Sequence, residues 1–379
     1  MAADEPEMAS LPAMRHRILL LVPVLLIAGC GSSSKHKATT TSATAGTAAS
    51  TNYKKIATIA PPGPFKGDEA YDIGWVDPAS QTYYLTDRTN ATVDVVDAKT
   101  DTRTRSLPGF VGTHGSSDAT SGPDGVLEIP SRNELWVADA KSKVRVVNLA
   151  GGKIVKSIST HGKGFNRVDE IGYDPKEQVL LVANDNDTPP FLTFISVPAR
   201  KVVGRIPMPQ ATGGLEQPAY NPADGKFYQS VPMTKANPTG EVDRVDPVSM
   251  KITKVFPIRG CQPTGLSLGP NNRFMVGCQQ TKPRLIGAIL DVTTGSVTRI
   301  TQAGNGDEVW FNPGEDRWYY PGDDAKTGKP VLAVVDAAAG KWLVNVPIGG
   351  ESHSVAVDPS NGHVFVPDTD KGIEVYAPA

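Results

Sequence analysis

The strongest constraint in this chain is a repeat. Seven times a short apolar strand runs into a turn ending at proline: Pro78, Pro130, Pro175, Pro222, Pro270, Pro313 and Pro359, at spacings of 52, 45, 47, 48, 43 and 46 residues. A second strand follows each proline, as in "TYYLTD", "ELWVAD", "VLLVAND" and "HVFVPD", and then a third, as in "TVDVVD", "KVRVVN" and "IEVYAP". A fourth strand, as in "RTRSLPGF" or "KIVKSIST", occurs only six times, because the chain stops before the seventh unit can form one. The missing piece lies at the other end, where "YKKIATIA" (53–60) has the same pattern. Units this short must bury their apolar faces against neighbours. A linear stack has no use for an N-terminal strand that completes the last unit, whereas a ring requires one.

Composition agrees with an all-β ring. Glycine (37) and proline (32) together make about 18% of 379 residues, well above the roughly 12% of average usage. No segment sustains the three-and-four apolar spacing of an amphipathic helix. The pattern predicts a seven-bladed β-propeller of four-stranded antiparallel blades over residues 51–379, its last blade closed by the N-terminal strand. Units such as "YYLTDRTNATVDVVDAKT" resemble the YVTN-type repeats of YncE-like propellers, relatives of the propeller domains of nitrous-oxide reductase and quinoprotein amine dehydrogenase. The resemblance implies the fold but no single activity, because propellers host many chemistries.

The repeat also sorts the acids. "VDEIGYDP" (168–175) and "GDEVWFNP" (306–313) each place two carboxylates at the head of a strand, where like charges repel. The residues six before each proline are Asp72, Asp124, Asp169, Glu216, Thr264, Asp307 and His353, and the next position holds Ile73, Gly125, Glu170, Gln217, Gly265, Glu308 and Ser354. The first strand of a blade lines the central channel, so these residues should form a polar ring around one axial mouth. Two readings of the ring stay open. Either each carboxylate is solvated and hydrogen-bonded, or the ring binds a cation or polar ligand. A cation would take Asp169, Glu216, Asp307 and His353 as its first ligands, with Asp124 beside them. Oxygen donors favour Ca²⁺ or Mg²⁺, and His353 admits a softer ion such as Zn²⁺. Two long loops, 232–240 and 321–330, should wall the same mouth.

The leader speaks for export. Residues 18–28, "ILLLVPVLLIA", form an apolar run too short for a permanent span, preceded by Arg15, His16 and Arg17. Residues 1–29 are read as a signal peptide, and the acids before Met14 suggest that translation starts there. The tetrad Ile27-Ala28-Gly29-Cys30 resembles a bacterial lipobox, which implies lipidation of Cys30. Residues 30–50 then form a Ser/Thr/Ala-rich tether, holding the propeller outside the cell membrane or in the periplasm. Cys261 and Cys278, facing each other across the first hairpin of unit five, are expected to form a disulfide in such a compartment, two free thiols being the alternative.

Several signals are discounted. Net charge is −2, and no basic stripe supports nucleic-acid binding. "GLSLG" (265–269) matches a nucleophile elbow only in letters, since no helix follows it. "NDND" (184–187) opens like an EF-hand loop but lacks the closing Gly and Glu, and reads as a turn. The chain has six histidines, too few for a seven-histidine copper cluster. Three functions remain: a membrane-tethered, monomeric binding or scaffold module for a small molecule or protein, a metal-dependent hydrolase, lactonase or lyase with His353 as acid or base, or an accessory to an extracytoplasmic redox system.

Overall fold

A computed structural model describes residues 51–63, 69–279, 286–350 and 352–379. Cys30, Met14 and the tether lie outside the described residues. The described chain forms seven antiparallel sheets around an axis. Blade 1 is typical: Tyr71–Asp77 lies innermost, Thr82–Asp87 and Thr92–Asp97 follow, and Thr102–Pro108 is outermost. Alternating Val, Ile, Tyr and Leu suit these strands, because a pleated strand buried on both faces must be apolar on both. The core is accordingly shared between blades. Each of the seven blade–blade interfaces holds its own apolar cluster, such as Trp136, Val146 and Leu180 between blades 2 and 3.

The ring closes as the repeat requires. Tyr53–Ile59 pairs antiparallel with Gly372–Pro378 and becomes the outer strand of blade 7, with Tyr53 opposite Pro378 and Ile59 opposite Ile373. The Tyr53 hydroxyl reaches Tyr319 of blade 6 at 2.9 Å, and the ends of the chain are tied to that neighbour as well. Cys261 and Cys278 form a disulfide, with Cα atoms 4.6 Å apart and both residues fully buried. It fastens the approach to the innermost strand of blade 5 onto the next strand of the same sheet.

One expectation needs correcting. Blade 6 does not carry a long open loop at 321–330. Strand Arg317–Asp324 pairs with Pro330–Asp336 as far as Asp323 opposite Pro330, which leaves only a tight turn between them. The inner edge of that blade is split, Ala303–Gly304 and Trp310–Asn312 each pairing with part of Arg317–Asp324. "NDND" is indeed the turn region after Val179–Asn184, and Ser267 lies within strand Pro263–Leu268.

Neighbouring inner strands are latched to each other at the axis. Gly125 N–H donates to Asp169 O, Gly265 N–H to Asp307 O and Glu308 N–H to His353 O, at 2.9–3.0 Å. A Cβ at Gly125 would lie 2.5 Å from Asp169 O, and one at Gly265 2.2 Å from Asp307 O. Glycine is required there because one backbone passes against another.

Candidate functional site

The residues six before each proline do converge on one mouth, and the structure divides them into two groups. In blades 1–3, Asp72, Asp124 and Asp169 are buried, and their carboxylate oxygens lie within 4.8 Å of one another. Two arginines sit among them, Arg88 buried and Arg167 partly so. Arg88 donates through Nη2 to Asp72 at 2.5 Å and to Asp124 at 2.6 Å, and through Nε to Asp124 at 2.9 Å. Arg167 donates to Asp169 at 2.5 Å and to Asp185 at 3.3 Å, and lies 3.6 Å from Asp124. Guanidinium groups are suited to this because their planar fork meets several carboxylate oxygens at once.

Charge explains the protonation pattern. Burial raises the Asp72 carboxyl, but Arg88 and then His353 and Arg167 outweigh it and hold the group below its usual range. At Asp169 burial dominates, and the carboxyl is pushed well above the usual range despite Arg167. The three oxygens have the spacing of a metal site, but two guanidinium groups already supply the positive charge that a metal would bring. Among the described residues this triad, and not Asp169, Glu216, Asp307 and His353, is the acid or histidine group brought within mutual ligand distance.

The second group lies in blades 4, 6 and 7. His353 Nδ1 pairs with Asp307 Oδ2 at 3.2 Å, and Nε2 lies 3.1 Å from the Tyr71 carbonyl oxygen. A ring hydrogen bonded at Nε2 to a carbonyl and at Nδ1 to a carboxylate is held as imidazolium. Burial opposes that charge, but the hydrogen bond and charge of Asp307, helped by Asp72, raise the His353 pKa to about 9. The Glu216 carboxylate makes no hydrogen bond among the described residues, its backbone N–H and carbonyl being bonded to Ser230 and Gln229, and Asp307 Oδ1 has no partner. Burial, and then the charge of Asp307, push the Glu216 carboxyl well above the usual range.

One residue further along each strand lies a second layer. Gln217 Nε2 donates to Glu308 Oε2 at 2.8 Å, and its Oε1 accepts from Leu266 N–H. Glu170 and Glu308 act on each other's charge. Burial pushes Glu308 up to about 8, and pushes Glu170 well above the usual range with Glu308 adding to it. Thr264 donates to the Gly306 carbonyl and Ser354 accepts from Gly74 N–H, so both are structural links.

Above both layers opens a cavity of about 1170 Å³, lined by Asp72, Arg88, Arg167, Glu216, Asp307 and His353 together with Glu69, Asp118, Asp323 and Asp370. Acids outnumber cations in this lining. Residues six before the prolines could be found from the repeat. Arg88, Arg167 and Asp185 could not, because they fall outside the repeated position, although Arg167 stands only two residues before Asp169. His114 and His161 are not among the residues lining the cavity; His114 stacks on Phe165 with ring centroids 4.1 Å apart.

Fold and mouth together define a seven-bladed β-propeller with a polar, predominantly acidic axial cavity. Among solved structures the chain is similar to hydrazine synthase of Kuenenia stuttgartiensis, with a TM-score of 0.68 over 82% of this chain and 96% of that one. Sequence identity is 15%, so the likeness is one of fold. No family model matches the chain, and no curated protein matches its sequence.

Proposed function

We propose that this is an extracytoplasmic binding propeller whose axial mouth takes a small polar cation, such as an organic amine, against Glu216 and Asp307. One observation carries the reading: the acids of blades 1–3 are paired with Arg88 and Arg167, whereas the Glu216 carboxylate makes no hydrogen bond and Asp307 is paired with His353 alone. A half-buried carboxyl without a cationic partner is costly when ionised, and a cation reaching it would recover that cost. The disulfide supports an oxidising compartment, and lipidation at Cys30 would tether the chain to a membrane.

The raised pKa of Glu216 gives the reading a signature. Burial and the charge of Asp307 make the carboxyl hold its proton to higher pH than usual, and an arriving ammonium group favours the ionised form. Binding therefore releases a proton, and affinity rises with pH. Calorimetry with putrescine, choline and arginine in two buffers of different ionisation enthalpy should show binding of at least one of them with proton release. Glu216→Gln should abolish the release and weaken that binding at least tenfold. If no amine binds, or if Glu216→Gln binds it as wild type does, the mouth is not an amine site.

A further inference from the structure

The face of blade 4 that packs on blade 3 buries a pair of polar side chains. Asp243, on strand Glu241–Asp246, stands directly opposite Gln229, on strand Lys226–Val231, and both are 0% exposed. Directly opposed residues share one face of the sheet, with Cβ atoms about 4.5–5.5 Å apart. Their neighbours on that face, Phe227, Val231 and Val245, belong to the apolar cluster shared with blade 3. Both Asp243 oxygens and Gln229 Oε1 are buried without a hydrogen-bond partner among the described residues. Gln229 Nε2 is fully engaged, donating to the Glu216 carbonyl and, at 3.0 Å, to the Ser230 carbonyl.

Comparison between blades marks the pair as a feature of blade 4. The third residue of the third strand is Asp94, Arg145, Thr193 and Glu374 in blades 1, 2, 3 and 7, each bonded to a side chain of its own blade. On the second strand these four face Leu85, Val137, Val182 and Val366. Asp243 holds the same position without such a bond, and faces Gln229 instead. Acceptor oxygens gathered in an apolar interface are costly unless a proton lies between them. Turning the Gln229 amide over would set Oε1 against the Glu216 and Ser230 carbonyls. The donor therefore has to come from Asp243, and a protonated carboxyl supplies one O–H. Glu241, two residues earlier on the strand, is the charged group acting on Asp243, while Gln229 and Val255, opposite it on either side, are neutral. Burial, and then Glu241, push the Asp243 carboxyl up to about 8.

We propose that Asp243 is carried as the neutral acid, its O–H donating to Gln229 Oε1, and that this proton locks the Gln229 amide onto the Glu216 carbonyl at the mouth. Loss of the proton leaves a carboxylate facing Oε1. The amide then turns its NH2 group to Asp243 and releases both carbonyls. Blade 4 thus carries a pH-sensitive link between its interior and the axial mouth. The inference does not depend on the amine reading, since it concerns the backbone of Glu216 and not its carboxyl.

The test is side-chain amide NMR of the full chain, made with isotope-labelled glutamine, from pH 6 to pH 9. The Gln229 resonances are identified by their loss in Gln229→Val, which should fold because three other blades hold valine there. They should shift across this range in wild type and stay fixed in Asp243→Asn, whose amide donates to Oε1 at every pH. Melting supplies a second readout. The folded carboxyl keeps its proton to about pH 8, against about 3.9 in an unfolded chain, so wild type loses stability as pH rises between these values. The melting temperature of Asp243→Asn should therefore gain on that of wild type from pH 5 to pH 8 and run parallel to it above pH 9. Gln229 resonances that stay fixed in wild type, or shift equally in Asp243→Asn, overturn the lock. A melting difference that is constant from pH 5 to pH 9 overturns it too. Should Asp243→Asn fail to fold by circular dichroism, the wild-type NMR titration decides alone.

Discussion

The axis and the rim of this propeller treat charge in opposite ways. At the axis, carboxylates from several blades are buried together and answered by Arg88 and Arg167, the former with a side chain only 5% exposed. At the rim, the seven outermost strands carry twelve lysines and arginines and no aspartate or glutamate. Lys153, Lys156, Lys201, Lys251, Lys254 and Lys341 stand exposed there. The rim is where each sheet ends in a free edge, and an unprotected edge invites another strand to pair with it. Lysine is one defence. Irregularity is another: six of the outer strands contain a register shift, and the seventh, Val297–Ile300, is only four residues long. Rim charges therefore act singly and in water, keeping edges apart. Axial charges act as a network, and each depends on its partners.

The largest test of this contrast removes an edge altogether. Deleting residues 51–60 takes away the outer strand of blade 7, its buried Tyr53 and Ile59, and the closure of the ring. The variant should lose its cooperative melt and aggregate through the exposed Gly372–Pro378. A deletion that melts like wild type would break the account of closure.

Next comes a matched pair of charge removals. Arg88→Met leaves Asp72 and Asp124 buried without their cation, and breaking a buried pair from one side costs about 3–5 kcal/mol. Lys156→Met removes the same charge from the rim and should change stability by no more than about 0.5 kcal/mol. Urea unfolding of both variants measures the ratio. Comparable losses would mean that the axial network is no more interdependent than the surface.

The smallest expected effect sharpens the axial side. His353 is held as imidazolium up to about pH 9 in the folded protein, against about 6.5 in an unfolded chain. A raised pKa means that its contribution is complete below pH 6.5 and is lost as pH rises from there through 9. Because its side chain is 39% exposed, solvent screens the pair with Asp307 and the effect should be a few degrees at most. The melting temperature of wild type should exceed that of His353→Gln most at pH 6 and converge with it by pH 9.5. A difference that is constant across this range would remove the ion pair from the account.

What the sequence determined by itself is the repeat and everything that follows from periodicity. Seven prolines at near-equal spacing, six fourth strands and a matching N-terminal strand were enough for seven blades and their closure, because each blade is local in sequence and repeats one pattern. The same alignment picked out Asp72, Asp124, Asp169, Glu216, Asp307 and His353 as neighbours in space, and Cys261 and Cys278 as partners. Tertiary structure alone decided how those acids are balanced. Arg88 and Arg167 enter the axis from positions that the other blades fill with different residues, so no alignment of repeats exposes them. Their arrival separates the half of the mouth in blades 1–3, where acids pair with arginine, from the half where Glu216 and Asp307 have no arginine beside them. The rim escaped notice for the converse reason: its cations come one or two at a time, a blade apart in sequence, and only closing the ring gathers them on one circumference. Periodicity fixes which residues share a level of the ring, but electrostatic balance depends on distances between blades, which the chain sets only once it has folded.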